Sequence, residues 1–388
     1  MLFGKACRCE VSARVRRAVD RRELLCGGGA GFVTALVSTL TGASRTARAQ
    51  LLGRPIPEVD RLAVRMITDN YFFPYFPPQK LPDITIERFA RAETPERPPN
   101  RELLGEWGLC MHAQSHAGNQ SRNILIDFGY TPETVLNNLA ILNIEPGTLD
   151  ALVLSHGHYD HFGGLAGFLK ATKDQLKKGI PFFVGGEDCF CTRQLPNGAQ
   201  YGTLDRKAII ESNLSLMIME RPSLIADHAF TTGHIPFTSF EKPVIPTRMK
   251  AGVTDGWGCF PEKLPTGKNT NNFIPDDLAH EIATTFVVKS KGLVVLTSCS
   301  HRGVVNTVKQ AQAASGVQKV HAIVGGMHLV PPLTDDYIRQ TVLALKAINP
   351  DYIMAAHCSG DIFYDIARAE MPNKVLRSSV GTRLVFGA

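Results

Sequence analysis

The chain has 388 residues, of which 44% are hydrophobic and 20% charged, a globular composition with room for one large domain or two small ones. Its formal net charge is +6, but nine of the 42 basic and three of the 36 acidic residues lie within residues 1–49, which leaves 33 of each sign elsewhere. Because the remainder of the chain is neutral, we expect no nucleic-acid partner.

The first 49 residues have the layout of an export signal. A basic stretch ends in Arg21 and Arg22, a mainly apolar run follows at 24–40, and residues 47–49 offer a small-x-small cleavage site. The paired arginines predict a twin-arginine-type signal peptide over 1–49 and a periplasmic mature protein, with no stable membrane insertion after cleavage. The alternative is an uncleaved anchor, although a run of about 17 residues is marginal for spanning a bilayer.

Six of the nine cysteines lie beyond this segment and form no C-x-x-C pairs, which argues against a cysteine-rich zinc module. An oxidising periplasm would permit disulfides, whose pairing the sequence leaves open. These cysteines are Cys110, Cys189, Cys191, Cys259, Cys299 and Cys358.

Regular structure is first predicted at residues 123–127, an apolar strand. Thr131 then supplies a helix N-cap and Pro132 the first helical position, followed by apolar residues at helical spacing. Residues 151–154 form a short buried strand, and residues 162–178 are predicted as a helix.

The second half of the chain continues this alternation. Residues 285–289 and 292–296 flank a turn and predict a hairpin. Residues 321–324 form a further strand, a helix follows with Thr334 as its cap, and 352–356 is the last well-marked buried strand. Alternating strands and helices with hairpins among them predict an α/β (α+β) fold with mixed sheets covered by helices.

The stretch 186–280 is polar and loop-rich. Loops of this length in a compact domain are usually functional lids or disordered. We therefore assign residues 50–388 to one domain, in which 186–280 shapes the substrate pocket.

The segment that carries chemistry places three imidazoles and one carboxylate within six residues, directly after a predicted buried strand. A tight turn can aim these groups into one small volume, and they are ligands that Zn²⁺ and similar ions prefer. The alternative, a polar loop with several histidines by chance, is improbable because the chain has only 12 histidines. The four residues are His156, His158, Asp160 and His161.

This H-x-H-x-D-H pattern resembles the signature of the metallo-β-lactamase superfamily. The resemblance implies a four-layer αββα sandwich with a two-metal centre at the sheet edges. It implies that His156 and His158 bind one metal and that Asp160 and His161 bind a second. Asp127 matches a structural aspartate that braces the site, with a simple turn acid as the alternative.

Further ligands must come from later strand ends, and His301 and His357 both follow predicted strands. We expect His301 to complete the first metal site and His357 the second, with two divalent ions, zinc being the best suited. Asp160 and His328 are assigned to catalysis, since His328 follows a Gly-Gly turn where it could contact substrate or orient a ligand. A structural role is the alternative for His328, and His234 is a weaker candidate.

One departure concerns the bridging aspartate that many superfamily members carry after the strand matching 292–296. Residues 297–301 contain no carboxylate. The two metals would then be bridged only by water, or one site would be weak. Cys299 either ligates as a thiolate or is a small buried residue.

Four later segments narrow the resemblance to one branch, named for 7,8-dihydropterin-6-methyl-4-(β-D-ribofuranosyl)aminobenzene-5′-phosphate synthase. They match the branch elements G-C-S-H-x-G-I-x-N-T, G-G-F-H-L, H-C-T-G and T-G-x-I-P. The matching segments are residues 298–307, 325–329, 357–360 and 232–236.

The leading hypothesis is a hydrolase whose two metals activate water on a small phosphate, ester or amide substrate. The runner-up is a synthase-like transferase in which the metals neutralise a departing diphosphate. Export argues against it, because pterin diphosphates are cytoplasmic. A non-catalytic metal- or ligand-binding protein is the third possibility, favoured only by the missing aspartate.

Overall fold

The computed structural model describes residues 55–89, 101–244 and 247–387. The predicted signal peptide at 1–49 lies outside the described residues. The described residues all belong to one compact unit. Among them, no helix has both the length and the apolar character needed to cross a membrane.

The strands of the described residues form two large mixed sheets and two small ones. In chain order they are β1 (Glu58–Val59), β2 (Arg61–Thr68), β3 (Gln79–Leu81), β4 (Ile84–Glu87), β5 (Cys110–Ala117), β6 (Gln120–Ile126), β7 (Ala151–Val153), β8 (Pro181–Val184), β9 (Thr192–Gln194), β10 (Gln200–Gly202), β11 (Ser215–Ile218), β12 (Ser223–Ile225), β13 (Ala229–Thr231), β14 (Arg248–Lys250), β15 (Gly252–Thr254), β16 (Trp257–Cys259), β17 (Ile274–Pro275), β18 (Thr284–Val288), β19 (Gly292–Thr297), β20 (Val320–Gly325), β21 (Tyr352–Ala355), β22 (Val375–Arg377) and β23 (Arg383–Gly387). The α-helices are α1 (Pro132–Ile141), α2 (Tyr159–Phe162), α3 (Leu165–Thr172), α4 (Arg206–Glu211), α5 (Val304–Ser315), α6 (Asp335–Ile348) and α7 (Asp361–Glu370).

The first large sheet has nine strands in the order β11-β8-β7-β6-β5-β2-β23-β4-β3. Strands β11, β8, β7 and β6 run parallel, and the remaining neighbours pair antiparallel. The second has eight strands in the order β12-β13-β18-β19-β20-β21-β22, with β1 paired to β18. Here β19 to β22 are parallel, whereas β18 and β19 form the predicted antiparallel hairpin.

Period-two alternation explains how the layers pack. In β6, Ile124 and Ile126 face a core shared by the two large sheets, while Leu125 faces a second core that includes residues of α1 and α3. In β21, Met354 points into the shared core and Ile353 into a third core against α5, α6 and α7. This confirms the predicted αββα sandwich.

Helix caps are where the sequence placed them. The Thr131 side chain accepts a hydrogen bond from Thr134 N at the start of α1, and Thr334 accepts one from Tyr337 N at the start of α6. The helix predicted over 162–178 is wrong at both ends. Helical structure begins earlier as α2, passes through Gly163 and Gly164 into α3, and ends at Thr172 because the chain turns there to bury Leu176 and enter β8.

The 186–280 segment contains more regular structure than predicted, although its strands are only two to four residues long. Strands β10-β9-β14-β17 form a four-stranded sheet and β15-β16 a two-stranded one. A disulfide joins Cys191 to Cys259 and ties the two small sheets together. Short strands without a period-two run of apolar residues give little sequence signal. For this reason the sequence predicts loops in this region.

Candidate metal centre

The predicted ligands meet at one edge of the sandwich. Strands β19, β20 and β21 run parallel, so their carboxyl ends lie at the same sheet edge. The loops that follow β19 and β21 meet the turn that follows β7. The six residues brought together are His156, His158, Asp160, His161, His301 and His357.

Three imidazoles form the first ligand group. One nitrogen from each of His156, His158 and His301 lies within 4.8 Å of the others. The ring centroid of His158 lies 4.5 Å from that of His301 and 4.7 Å from that of His156. His158 Nε2 lies 3.0 Å from Thr247 Oγ1, which leaves Nδ1 of His158 as its ligand atom.

The second ligand group combines one carboxylate with two imidazoles. Ligand atoms of Asp160, His161 and His357 lie within 4.8 Å of one another. Asp160 Oδ2 is 3.2 Å from His357 Nε2 and 3.6 Å from His161 Nε2. Asp160 Oδ1 accepts a hydrogen bond from the Tyr201 hydroxyl at 2.8 Å, so only Oδ2 is directed toward the imidazoles.

Both groups suit divalent cations. Nε2 of His156 and Nε2 of His301 are buried and have no hydrogen-bond partner in the described part of the chain. Buried polar atoms are normally paired, so unpaired nitrogens converging on one point are expected of a metal site. Three nitrogens in one group, and two nitrogens with a carboxylate oxygen in the other, are donor sets typical of Zn²⁺.

The charge states of these residues favour cation binding. Burial, together with neighbouring imidazoles, lowers the pKa of His156 well below its usual range, and burial does the same for His158 and His301. Burial opposes the ionisation of Asp160, but the neighbouring His161, His357 and His158 together more than offset it, and the pKa of Asp160 is lowered. The first group is therefore neutral and the second carries a carboxylate at neutral pH, the forms that ligate metals. Burial lowers the pKa of His357, but Cys358 and Asp160 more than offset it and raise that pKa to about 9, so ligation by His357 would release a proton.

Asp127 braces the ligand turn, as the resemblance implied. Its Oδ2 accepts from His161 Nδ1 at 2.8 Å and from Ser155 Oγ at 2.8 Å, while Oδ1 accepts from Ser155 N at 2.7 Å. The contact with Nδ1 directs Nε2 of His161 toward the second ligand group. Carboxylates in this position fix the tautomer and orientation of a ligating histidine.

Replacing Asp127 by Asn is expected to weaken metal binding at the second group by roughly 10- to 100-fold, because the amide supplies a donor where His161 and Ser155 need acceptors. Asn tolerates the left-handed backbone of Asp127, whose φ is 59°. Competition with a chromogenic chelator measures the affinity. Asp150→Asn, which alters a carboxylate paired with Lys177 instead, is the control. Unchanged affinity in Asp127→Asn would contradict the bracing role.

Two further buried carboxylates accept hydrogen bonds from the backbone N–H groups of His301 and His357. Glu281 accepts from His301 N and from Arg302 N, each at 2.8 Å. Asp69 Oδ1 accepts from His357 N at 2.9 Å. The loops carrying His301 and His357 are therefore each fixed by an acid from a different part of the chain.

Left-handed backbone conformations also cluster here. Asp127, Ser300, His328 and His357 have φ values of 59°, 56°, 46° and 49°. Such conformations cost non-glycine residues energy and persist where the surroundings over-determine them, commonly at functional sites. The loops at this edge are thus held in defined shapes.

Comparisons with known proteins agree with this geometry. A family profile described as "Metallo-beta-lactamase superfamily" matches residues 117–181, which contain the whole 156–161 turn. A Methanocaldococcus jannaschii protein named 7,8-dihydropterin-6-methyl-4-(β-D-ribofuranosyl)-aminobenzene-5′-phosphate synthase is 31% identical over 267 residues, which cover 67% of this chain and 83% of that protein. The chain belongs to the metallo-β-lactamase superfamily.

Two other proteins are also similar to this chain. An uncharacterised protein of the same organism is 27% identical over 263 residues, covering 67% of this chain and 88% of that protein. The crystal structure of a metal-dependent hydrolase of the β-lactamase superfamily, Tm1679, has a TM-score of 0.59 at 19% identity, over 83% of this chain and 98% of that one. The latter shows the shared fold.

The sheet edge that carries the two ligand groups opens into a cavity of about 240 Å³. His158, Asp160, His301 and His357 line it, as does Trp107, whose half-exposed ring lies 5.0 Å from that of His357. The 186–280 segment contributes further lining residues: Leu195, Pro196, Tyr201, Glu241, Lys242, Pro243, Val244, Thr247 and Leu278.

The position expected for a bridging aspartate is taken by a thiol. Cys299 is 2% exposed, and its Sγ lies 3.1 Å from His161 Nε2. The same sulfur lies within 4.8 Å of ligand atoms of both His156 and His161. Cys299 therefore lies between the two ligand groups. Its burial agrees with both interpretations from the sequence, a thiolate ligand and a small buried residue.

The two remaining histidine candidates have different surroundings. His328 lines the cavity with its ring centroid 4.1 Å from that of His301. His234 is exposed, and its Nδ1 lies 3.2 Å from Ala279 O, away from the ligand cluster. The structure thus leaves His234 out of the metal centre, because its side chain faces solvent between the buried Gly233 and Ile235.

Glu241 is a buried acid in the cavity wall that the sequence analysis missed. It is 1% exposed, and its Oε2 accepts from Val305 N at 2.9 Å and Asn306 N at 3.3 Å at the start of α5. Burial raises its pKa from 4.5 to about 7. The sequence around a single Glu in a loop does not predict its burial or its contact with a helix, since both come from long-range folding.

This raised pKa predicts a pH dependence of stability. The native state binds a proton that the unfolded state has released between pH 4.5 and about 7, so the contribution of Glu241 declines as pH rises through that window. In Glu241→Gln the decline should be smaller by up to about 3 kcal/mol. Urea unfolding at several pH values measures it, with Glu133→Gln at an exposed site of α1 as control. Parallel curves for wild type and Glu241→Gln would contradict the prediction.

Proposed function

We propose that this protein is a metal-dependent hydrolase that uses a dinuclear centre to activate water on a small phosphate, ester or amide substrate. The observation that carries the proposal is the convergence of two three-ligand groups beside one cavity. His156, His158 and His301 would hold one cation, and Asp160, His161 and His357 the other. Bound divalent cations supply Lewis acidity and lower the pKa of water toward 7.

The chain's own residues would fix the reacting groups. Asp127, Glu281 and Asp69 hold the ligand-bearing loops from behind. Tyr201 occupies Asp160 Oδ1 and so fixes the carboxylate orientation. Trp107 gives the cavity an apolar wall next to His357, which would exclude water from one side of a substrate.

Metal analysis and turnover test the proposal directly. The purified protein is expected to contain up to two transition-metal ions in these groups and to hydrolyse bis(4-nitrophenyl) phosphate or a 4-nitrophenyl ester. Hydrolysis should disappear on chelation, return on adding Zn²⁺, and be lost in His158→Ala. Native protein without bound transition metal, or hydrolysis that survives in His158→Ala, would overturn it.

A synthase-like transferase is the second candidate, because the 31% identical relative carries a dihydropterin-type synthase name. The same ligand groups could neutralise a departing diphosphate. Incubation with the pterin diphosphate and an aminobenzene ribofuranosyl acceptor separates the two reactions. Condensed product without hydrolysis of the nitrophenyl probes would favour the transferase.

We further propose export to the periplasm by the twin-arginine route. The layout of residues 1–49 motivates the proposal, and the Cys191–Cys259 disulfide is in keeping with an oxidising compartment. Cell fractionation and N-terminal sequencing test it. A cytoplasmic protein that retains residues 1–49 would contradict it.

A further inference from the structure

Two cysteines and one histidine form a separate cluster beside the two ligand groups. One ligand atom from each of Cys299, His328 and Cys358 lies within 4.8 Å of the other two. Cys358 Sγ lies 3.2 Å from Cys299 Sγ. All three residues line the cavity. We propose that they form a third metal site, selective for a thiophilic cation such as Zn²⁺ or Cu⁺.

The donor set determines the class of cation. Thiolates favour Zn²⁺ and Cu⁺ over Mg²⁺ or Ca²⁺, which take oxygen ligands. Nδ1 of His328 is buried and lacks a partner within the described ranges. Three protein ligands leave a fourth tetrahedral position open, as in zinc sites that exchange a ligand. Because the three residues border the cavity, that open position can receive a water or a substrate atom.

The backbone around the cluster brings these side chains unusually close. A Cβ added to Gly326 would lie 3.0 Å from Cys358 Sγ and 2.1 Å from Ser298 O, so the Gly-Gly turn after β20 admits no side chain there. His328 holds a left-handed backbone with φ of 46°, and its N–H donates to Cys358 Sγ at 3.3 Å. A glycine turn and a strained histidine thus place His328 against the two thiols.

The cluster also joins the main centre. Cys299 Sγ lies 3.1 Å from His161 Nε2, and a thiolate can ligate two cations at once. Cys299 would therefore connect the third cation to the pair, at the place where the sequence lacks a bridging carboxylate. In this site His328 is a ligand, which replaces the catalytic role predicted for it from the sequence.

The alternative is an unligated pair of buried thiols, which cadmium binding distinguishes. Cd²⁺ binds thiolates strongly, and its thiolate complexes absorb in the ultraviolet. Purified full-length protein is loaded with Cd²⁺, and bound metal and absorption are compared among wild type, Cys358→Ala and Cys110→Ala. Cys110 is a matched control because its thiol is buried and free in the core of the first sheet. The cysteines of residues 1–49 are present in all three proteins and cancel in the comparison.

We expect Cys358→Ala to bind one Cd²⁺ fewer than wild type and to lose most of the thiolate absorption, with Cys110→Ala unchanged. His328→Gln should weaken the same Cd²⁺ by at least tenfold, and it provides the test if Cys358→Ala does not fold. A double variant, His158→Ala with Cys358→Ala, should lose two Cd²⁺, since His158 belongs to the first ligand group and Cys358 to the third site.

Equal Cd²⁺ stoichiometry and absorption in wild type and Cys358→Ala would overturn the proposal, as would loss of only one Cd²⁺ in the double variant. Neither readout depends on turnover. Hydrolysis without a third bound cation would therefore contradict this inference alone. Three bound cations without hydrolysis would contradict the proposed function alone.

Discussion

Replacing His301 by Ala is expected to reduce metal-dependent hydrolysis by more than about a hundredfold, because the loss of even an outer-shell partner of a metal ligand costs 10- to 100-fold. His301 supplies a buried, unpaired Nε2 to the first ligand group. Without it that group retains two imidazoles, too few to hold Zn²⁺ firmly. Steady-state kinetics with bis(4-nitrophenyl) phosphate and metal analysis of the same sample measure the effect.

His116→Ala is the control for this experiment, since His116 lies in β5 outside the ligand groups. Excess Zn²⁺ should restore part of the activity of His301→Ala if weak binding is the defect. Full activity and full metal content in His301→Ala would mean that the loop after β19 does not contribute a ligand. The 156–161 turn would then act with His357 as its only predicted ligand from a distant strand end.

The sequence predicted the parts of the centre that depend on local order. The four predicted ligands in residues 156–161 are close together in the chain, and the preceding apolar strand fixes the direction of the turn. His301 and His357 could be selected because each follows a strand, and parallel strands end at one edge. Thr131 and Thr334 carried cap signals that need no tertiary information.

The missing parts depend on long-range packing. Asp69 contacts His357, which lies 288 positions further along the chain, and no local sequence pattern predicts this contact. Glu281 supports His301 from another loop, and Cys358 meets Cys299 because each follows a strand of the second large sheet, β21 and β19. His234 had a motif resemblance but ends on the surface. Residue type and spacing therefore pointed to the candidate ligands, whereas they gave no indication of the residues that hold those candidates in place.

Arg193→Leu is expected to destabilise the fold by about 3–5 kcal/mol, the usual cost of removing one partner of a buried ion pair. Arg193 is fully buried, and its Nε donates to Asp276 Oδ2 at 2.7 Å. Its other nitrogens donate to three backbone carbonyls, those of Asp188, Cys189 and Cys191. The substitution leaves the Asp276 carboxylate and the Cys189 and Cys191 carbonyls buried without these donors, while Asp188 O keeps the bond from Cys191 N. Leucine restores only the apolar volume.

The same change should loosen the metal-binding turn, because the Arg193 guanidinium is packed against Gly157, where an added Cβ would lie 2.4 Å from Nη1. His280 Nε2 accepts from Gly157 N at 3.1 Å and borders the same guanidinium, so the turn loses a rigid support. Urea unfolding gives the midpoint and slope, and chelator competition gives the metal affinity. Arg339→Leu, at an exposed position of α6, should leave both unchanged. A destabilised Arg193→Leu protein that still binds metal with wild-type affinity would show that the turn keeps its shape through Asp127 alone.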